Sequence, residues 1–320
     1  MDRGKLLIKA ATYAYPEEIP VGVGLLPAVF IKYGDDVKKI LAKYTDLVGE
    51  HWQGYDPHKN MPASYHAGQF TDPWGCVWSN ECDGMESIVT GHPVPTREDV
   101  HTMKVPESDV GMPHGYMYLR LLDLRGFEEI MIDFCEEPPE LQMLIDKVLN
   151  YNIRQTKIAL ERNPNAEMMY YGDDLGMQKG LAIGAEKWRK YMKPCFAAIY
   201  KLCKDAGKLV YMHTDGCIYE IMPDLKECGV DMINPQYRSN GIDNLERVCK
   251  GKIAINLDLD RQLFPFSNPK ELHAHVAECV KTMYLPEGGL GLNVEIGPDV
   301  SLINIEALLD AVCEYKVYKG

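Results

Sequence analysis

A histidine and an aspartate stand two apart where an apolar run stops. Residues 209–216 read LVYMHTDG, so a mostly apolar run leads straight into His213, Asp215 and Gly216. The run predicts a buried strand, and in α/β proteins the carboxyl ends of strands are where chemistry sits. His213 and Asp215, two apart, project to one side and can share a metal ion or a proton. A plain His–Asp hydrogen bond that orders a turn explains the same residues, and this segment alone favours neither reading.

Other predicted strands end in the same way. Polar endings recur at Asp173 and Asp174, at His213 and Asp215, at Asn234 and Gln236, at Asn256 and Asp258, and at Glu295. In a parallel barrel such ends share one rim, so their recurrence favours a catalytic rim. An imidazole among carboxylates suits a divalent metal such as zinc, which takes His nitrogen and carboxylate oxygen. A metal-free acid–base site is the competing expectation. His213 and Asp215 are the first candidates, with Asp174 and Asp258 as catalytic carboxylates. Asp260, beside Arg261, is expected to form a salt bridge. His273 and His275, on a charged helix, are expected at the surface.

The elements that must position these residues alternate regularly. Residues 138–162 predict a helix opened by two prolines, with Leu141, Leu144, Ile145 and Val148 on one stripe. A strand over 167–171 follows, then a helix over 185–206 that Pro194 must kink or divide. After the strand at 209 come a helix near 218–228, a strand at 230–234, a helix near 243–250 and a strand at 253–257. Asn268, Pro269 and Glu271 read as a capping box opening another helix. A strand at 291–294 and a helix over 302–318 finish the chain. Five βα units from about residue 167 imply parallel strands and favour a (β/α)8 TIM barrel over an open sheet. No GxGxxG follows a strand, so the dinucleotide signature is missing.

The first part is less periodic. Residues 28–34 and 36–48 predict a helix pair, and 50–82 are rich in aromatics, His and Gly, as loops or short strands over a pocket. No linker shows, so one domain over 1–320 is expected, with about 1–80 as a cap over the barrel mouth. Phe70 and Trp74, with His66 and Trp78, can wall an aromatic pocket, although packing explains them equally. Tyr170 and Tyr171 alternate sides of a strand, so one of them faces the centre, and Tyr171 is the expected substrate contact.

Composition narrows the classes. With 320 residues, 46% of them hydrophobic, the chain can bury a large core and is not disordered. The net charge of −13 argues against nucleic acid and, more weakly, against a substrate with many carboxylates. Ten cysteines include no CxxC pair, and the first residues carry no signal-type apolar stretch. Buried, reduced thiols and a cytoplasmic location are therefore expected, and no apolar run approaches the roughly 18 residues of a membrane span.

Nearly the whole chain resembles the uroporphyrinogen decarboxylase superfamily, in particular its corrinoid-dependent methyltransferase branch. The stretches that carry the resemblance are HTDG at 213–216, GVDMINPQ, INLDLDRQLF and GGLGLNVEIGPDVSLINIEAL. Upstream they are residues 33–36, FTDPWGC at 70–76, LRGFEEIMIDFCEEPPEL and GDDLGMQKG. The resemblance implies a (β/α)8 barrel. Corrinoid-linked members of this branch carry His-x-Cys-Gly and a later Cys, which hold a zinc that activates a thiol. Here the motif is His213-Thr-Asp215-Gly216 and the later position falls at Glu295, so His213, Asp215 and Glu295 are the implied metal ligands. Carboxylates in place of thiolates make a harder, more Lewis-acidic site that suits oxygen. The implied activity resembles methyltransferase I of O-demethylase systems. It moves a methyl group from a small methylated substrate, best a phenyl methyl ether, to the cobalt of a corrinoid (cobalamin) on a separate protein. True decarboxylation fits less well, because a porphyrinogen's carboxylates need several arginines and the N-terminal third has only Arg3 and Arg97. The same barrel could instead serve a metal-independent lyase or a non-catalytic binding homologue.

Overall fold

The structure, a computed structural model, describes residues 3–107 and 109–320. Its strands in chain order are β1 (Val21–Leu25), β2 (Gly68–Thr71), β3 (Val77–Asn80), β4 (Ile88–Gly91), β5 (Met168–Gly172), β6 (Leu209–Thr214), β7 (Met232–Pro235), β8 (Ala254–Asp258) and β9 (Leu290–Ile296). Contacts group the chain into two compact units. One holds residues up to Gly68 with Asn80–Ser87 and Gln236–Gly320, and the other holds Gln69–Ser79 and Ile88–Pro235.

In the first unit β1, β9 and β8 lie side by side, each pair parallel. β8 is buried at every position, as expected of a parallel strand covered on both faces. The helix Pro269–Met283 begins with the predicted capping box: Asn268 Oδ1 accepts from the Lys270 and Glu271 amides, and Glu271 accepts from the Asn268 amide. It packs on the helix Leu302–Tyr315.

In the second unit β5, β6 and β7 form the corresponding parallel run, and β2, β3 and β4 form a small separate sheet. The helix Pro139–Arg162 buries the predicted stripe completely: Leu141, Leu144, Ile145 and Val148 are at most 1% exposed. Each such side chain is worth about 2 kcal/mol of transfer free energy. Pro194 divides the next helix as its missing N–H requires. An α-turn (Gly184–Lys187) widens into a π-segment (Trp188–Met192) before the α-helix Lys193–Asp205.

The described residues thus hold six parallel strands, three in each unit, where eight were expected. The region between β1 and β5 departs from the βα rhythm, with short helices and the small antiparallel-paired sheet taking its place. No described helix is long and apolar enough to cross a membrane. Seven of the ten cysteines are buried and all are free thiols.

Candidate functional site

Register decides which side chains meet at the ends of β5, β6 and β7. Gly172 pairs with His213 and His213 with Asn234; one step back, Tyr170 pairs with Tyr211 and Tyr211 with Met232. Residues paired in a parallel sheet share a face, and so do residues two apart. One face therefore carries Gly172, His213 and Asn234 in its outer row and Tyr170, Tyr211 and Met232 in the next.

His114 enters this face from a loop. The Gly115 amide donates to the Gly172 carbonyl at 2.8 Å and fixes the loop on the strand. The His114 ring then lies over Gly172, where a Cβ would stand 2.5 Å from Nδ1. Its Nε2 is 3.0 Å from Asp174 Oδ2, and its ring centre is 5.4 Å from that of His213. His213 Nδ1 lies 2.8 Å from Asn234 Oδ1, a contact that places the proton on Nδ1. Nε2 then faces Asp215 Oδ1 at 3.4 Å and Asp174 Oδ1 at 3.7 Å. The Asp215 amide donates to Asp174 Oδ1 at 2.9 Å. Ligand atoms of His114, Asp174 and His213 all fall within 4.8 Å of one another.

The electrostatics favour a charged pair. Burial would raise the Asp174 carboxyl, but the bond to His114, that imidazole's charge and the Asp215 amide hold it below the ordinary range. Burial likewise opposes a proton on His114, but Asp174 outweighs it and raises the imidazole's pKa.

Two local devices hold the site. Gly216 adopts φ +84°, and a Cβ there would sit 2.2 Å from the Gly176 carbonyl. The HTDG turn and the DDLG turn thus cross backbone on backbone, tied by the Gly176 amide on the Asp215 carbonyl. Asp173, fully buried, accepts the amides of Met117, Tyr118 and Leu119 at 2.6–3.0 Å. It caps the helix Tyr118–Arg125 from a distant strand and anchors the loop that carries His114. Burial pushes its carboxyl up to about 7 against the pull of those amides.

His213, Asp215 and Asp174 come together, joined by His114, which sequence reasoning missed. Its only signal there is a histidine inside the Gly/Pro-flanked stretch MPHGY. Within the first unit, Asp258 Oδ1 accepts from Asn293 Nδ2 at 2.7 Å, and Glu295 pairs with Arg261 at 2.5 Å. Asp260 pairs with Arg238 rather than Arg261, at 2.7 and 2.8 Å, because Arg261 is taken by Glu295. His275 is buried, not superficial, and accepts the Asp260 amide at 3.0 Å; His273 is exposed beside Glu314.

The aromatic expectations need correction. Tyr171 turns from the His213 face into the core, 3.0 Å from Cys203 Sγ and against Tyr116 and Tyr200. Strand parity puts Tyr170 on the His213 face instead. Trp74 is buried edge-on to Tyr151, with the Arg120 guanidinium over it, so it packs rather than lines a pocket. Phe70 stacks on Trp78 at 6.0 Å.

The sequence profile of the uroporphyrinogen decarboxylase (URO-D) family matches residues 122–315, more than half of the chain, including Asp174, His213 and Asp215. No curated protein matches the sequence. Among solved structures, a methyltransferase from Methanosarcina mazei is 15% identical, with 98% of each chain covered and a TM-score of 0.65, a likeness of fold. By the profile match over the strands and turns that build this site, the chain belongs to the uroporphyrinogen decarboxylase family.

Proposed function

We propose that this chain is a methyltransferase that takes a methyl group from a small oxygen-methylated donor and passes it to the cobalt of a corrinoid on a separate protein. The observation that carries the reading is the orientation of His213. Its Nδ1 is committed to Asn234, which leaves Nε2 to face two carboxylate oxygens. Two carboxylates around one imidazole nitrogen call for a positive charge among them, either a proton on Nε2 or a metal cation. Two imidazoles and a carboxylate within mutual reach fit a divalent metal such as zinc. His114, Asp174 and His213 would hold it, with Asn234 orienting His213 and the Asp215 amide orienting Asp174. When bound, the metal would supply Lewis acidity to the leaving oxygen. The fold shared with the Methanosarcina methyltransferase supports methyl transfer.

The balance is simple. The carbon–oxygen bond breaks, oxygen keeps its electron pair, and the methyl group is taken by the electron pair of cob(I)alamin. The chain's part is to hold the donor oxygen at the His–Asp cluster and to align the methyl group. Decarboxylation finds less support: Arg97, one of two arginines in the N-terminal third, is bound to Asp133 at 2.7 Å and Glu136 at 2.6 Å and is not available to substrate carboxylates.

The test mixes purified protein with candidate methyl ethers and cob(I)alamin and follows the methyl–cobalt absorption change, with metal analysis of the same preparation. The expected result is donor-dependent methylation together with about one equivalent of metal. Turnover of a carboxylated substrate without cobalamin, or protein purified without chelator that is essentially metal-free, overturns the reading.

A further inference from the structure

Given the metal-holding role proposed for the same cluster, we infer that Thr214 is a positioning residue: its hydroxyl fixes the Asp174 carboxylate between the two imidazoles. Thr214 ends β6 and, one residue on from His213, faces away from the cluster into the core, 0% exposed. Its Oγ1 accepts the Leu175 amide at 3.0 Å and directs its own proton to the Asp215 carbonyl at 3.4 Å. The neighbouring contact runs the other way, because the Asp215 amide donates to the Asp174 carboxylate at 2.9 Å. Residues 174–175 and 214–215 thus hold each other in a reciprocal clasp, side chain to amide in both directions, as two residues do at a well-capped helix start.

The clasp sits inside a longer ladder that carries the two turns past the strand ends. The Asp173 amide donates to the His213 carbonyl at 3.1 Å, the Gly176 amide to the Asp215 carbonyl at 3.1 Å and the Cys217 amide to the Met177 carbonyl at 2.8 Å. Those rungs fix the backbone before and after Asp174. Leu175 is the rung where a side chain stands in for a carbonyl. Leu175 is 2% exposed, so its amide has no ready exchange for water once the Thr214 oxygen is gone. Threonine suits the place because its β-branch stiffens χ1 and holds the oxygen in one position. The Asp174 carboxylate has little slack: Oδ2 is 3.0 Å from His114 Nε2, and Oδ1 is 3.7 Å from His213 Nε2. A shift of residue 175 is passed to Asp174 through one peptide unit, which is planar and stiff. The hydroxyl therefore places the carboxylate without facing the cluster, and its loss is felt as weaker metal binding.

The test compares Thr214→Val, which keeps the shape and removes the oxygen, with Thr214→Ser, which keeps the oxygen. Metal-free crystal structures and zinc affinity by chelator competition are the two readouts, and neither uses a methyl donor or a corrinoid. The valine change should move the Asp174 carboxylate out of hydrogen-bond range of His114 and weaken zinc binding about 10- to 100-fold. Serine should restore both. Asn304→Ala is the control for a plain loss of stability: in the first unit Asn304 Nδ2 holds the Phe264 and Ser267 carbonyls at 2.7 and 2.8 Å. Its loss should lower the melting temperature and leave zinc affinity unchanged. Zinc binding weakened to the same degree in Asn304→Ala overturns the inference. So does a valine variant with Asp174 in its native place or with native zinc affinity, or a serine variant as weak as the valine one. If the valine chain does not fold, Thr214→Ala takes its place, since its smaller side chain leaves room for a water at the stranded amide; native zinc affinity there is equally fatal. A native protein that binds no zinc sinks the functional reading, and the metal-free structures still decide this inference.

Discussion

Replacing Gly172 with alanine should disable the site while leaving the fold intact. The new Cβ would stand 2.5 Å from His114 Nδ1, where ordinary contact begins near 3.4 Å. The ring must therefore retreat by about 1 Å, and it can, because it sits on a loop with a half-exposed side chain. That retreat stretches the 3.0 Å contact between Nε2 and Asp174 Oδ2 past hydrogen-bond length. A misplacement of about 1 Å in a reacting constellation costs on the order of a hundredfold in rate. Losing a well-placed ligand or its support costs metal affinity about 10- to 100-fold. Stability should move the other way or not at all, since glycine inside a strand is disfavoured by about 0.5–1 kcal/mol relative to alanine. The assays are zinc affinity by chelator competition, methyl transfer to cob(I)alamin and thermal melting, run on Gly172→Ala, His114→Ala and the double variant. The two single variants should lose similar metal affinity and the double variant no more than either, because both act through one imidazole. Wild-type zinc affinity in Gly172→Ala would refute the placement of His114.

Two further changes probe the frame of the site. Asp173→Ala strands three amides at the start of the helix Tyr118–Arg125 and should cost about 3 kcal/mol in urea unfolding, with Asp173→Asn recovering part of it; an alanine variant as stable as wild type removes the remote cap from the account. Asp123 is partly buried beside Arg120, which Asp72 holds more closely, and desolvation pushes its carboxyl up to about 6. The folded chain therefore binds this proton more tightly than the unfolded one, so stability falls as pH rises from about 4 to 6 and the penalty persists above that window. At about 1.4 kcal/mol per unit, the shift from 3.8 to about 6 is a penalty of about 3 kcal/mol, with the Arg120 attraction already included. Asp123→Asn should be more stable than wild type at pH 8, and by pH 4.5 its advantage should shrink to about a third; an advantage that grows towards acid contradicts the burial argument.

What was legible in the chain follows from local rules. The stripe of Leu141, Leu144, Ile145 and Val148 needs only helical periodicity, and Asn268-Pro-Lys-Glu271 needs only the geometry of a first turn. The apolar run into His213 needs only the habit of parallel strands. His213, Asp174 and Asp215 were within reach because each sits where such a strand gives out. The count of eight strands was not, because the rhythm read after residue 167 does not extend back towards β1.

Tertiary structure decided the rest. His114 lies 60 residues from Asp174 in the chain, and nothing near it signals a partner; the absent side chain of Gly172 opens its place. Whether Tyr170 or Tyr171 shares a face with His213 depends on register between β5 and β6, and a slip of one residue exchanges them. Arg261 and Asp260 are adjacent, yet each pairs elsewhere, with Glu295 and Arg238. Which groups a strand end offers is a property of a few consecutive residues, and so it can be read along the chain. Which of them converge depends on how separate strands are registered and which loop is laid across them, and those are settled only when the whole chain packs.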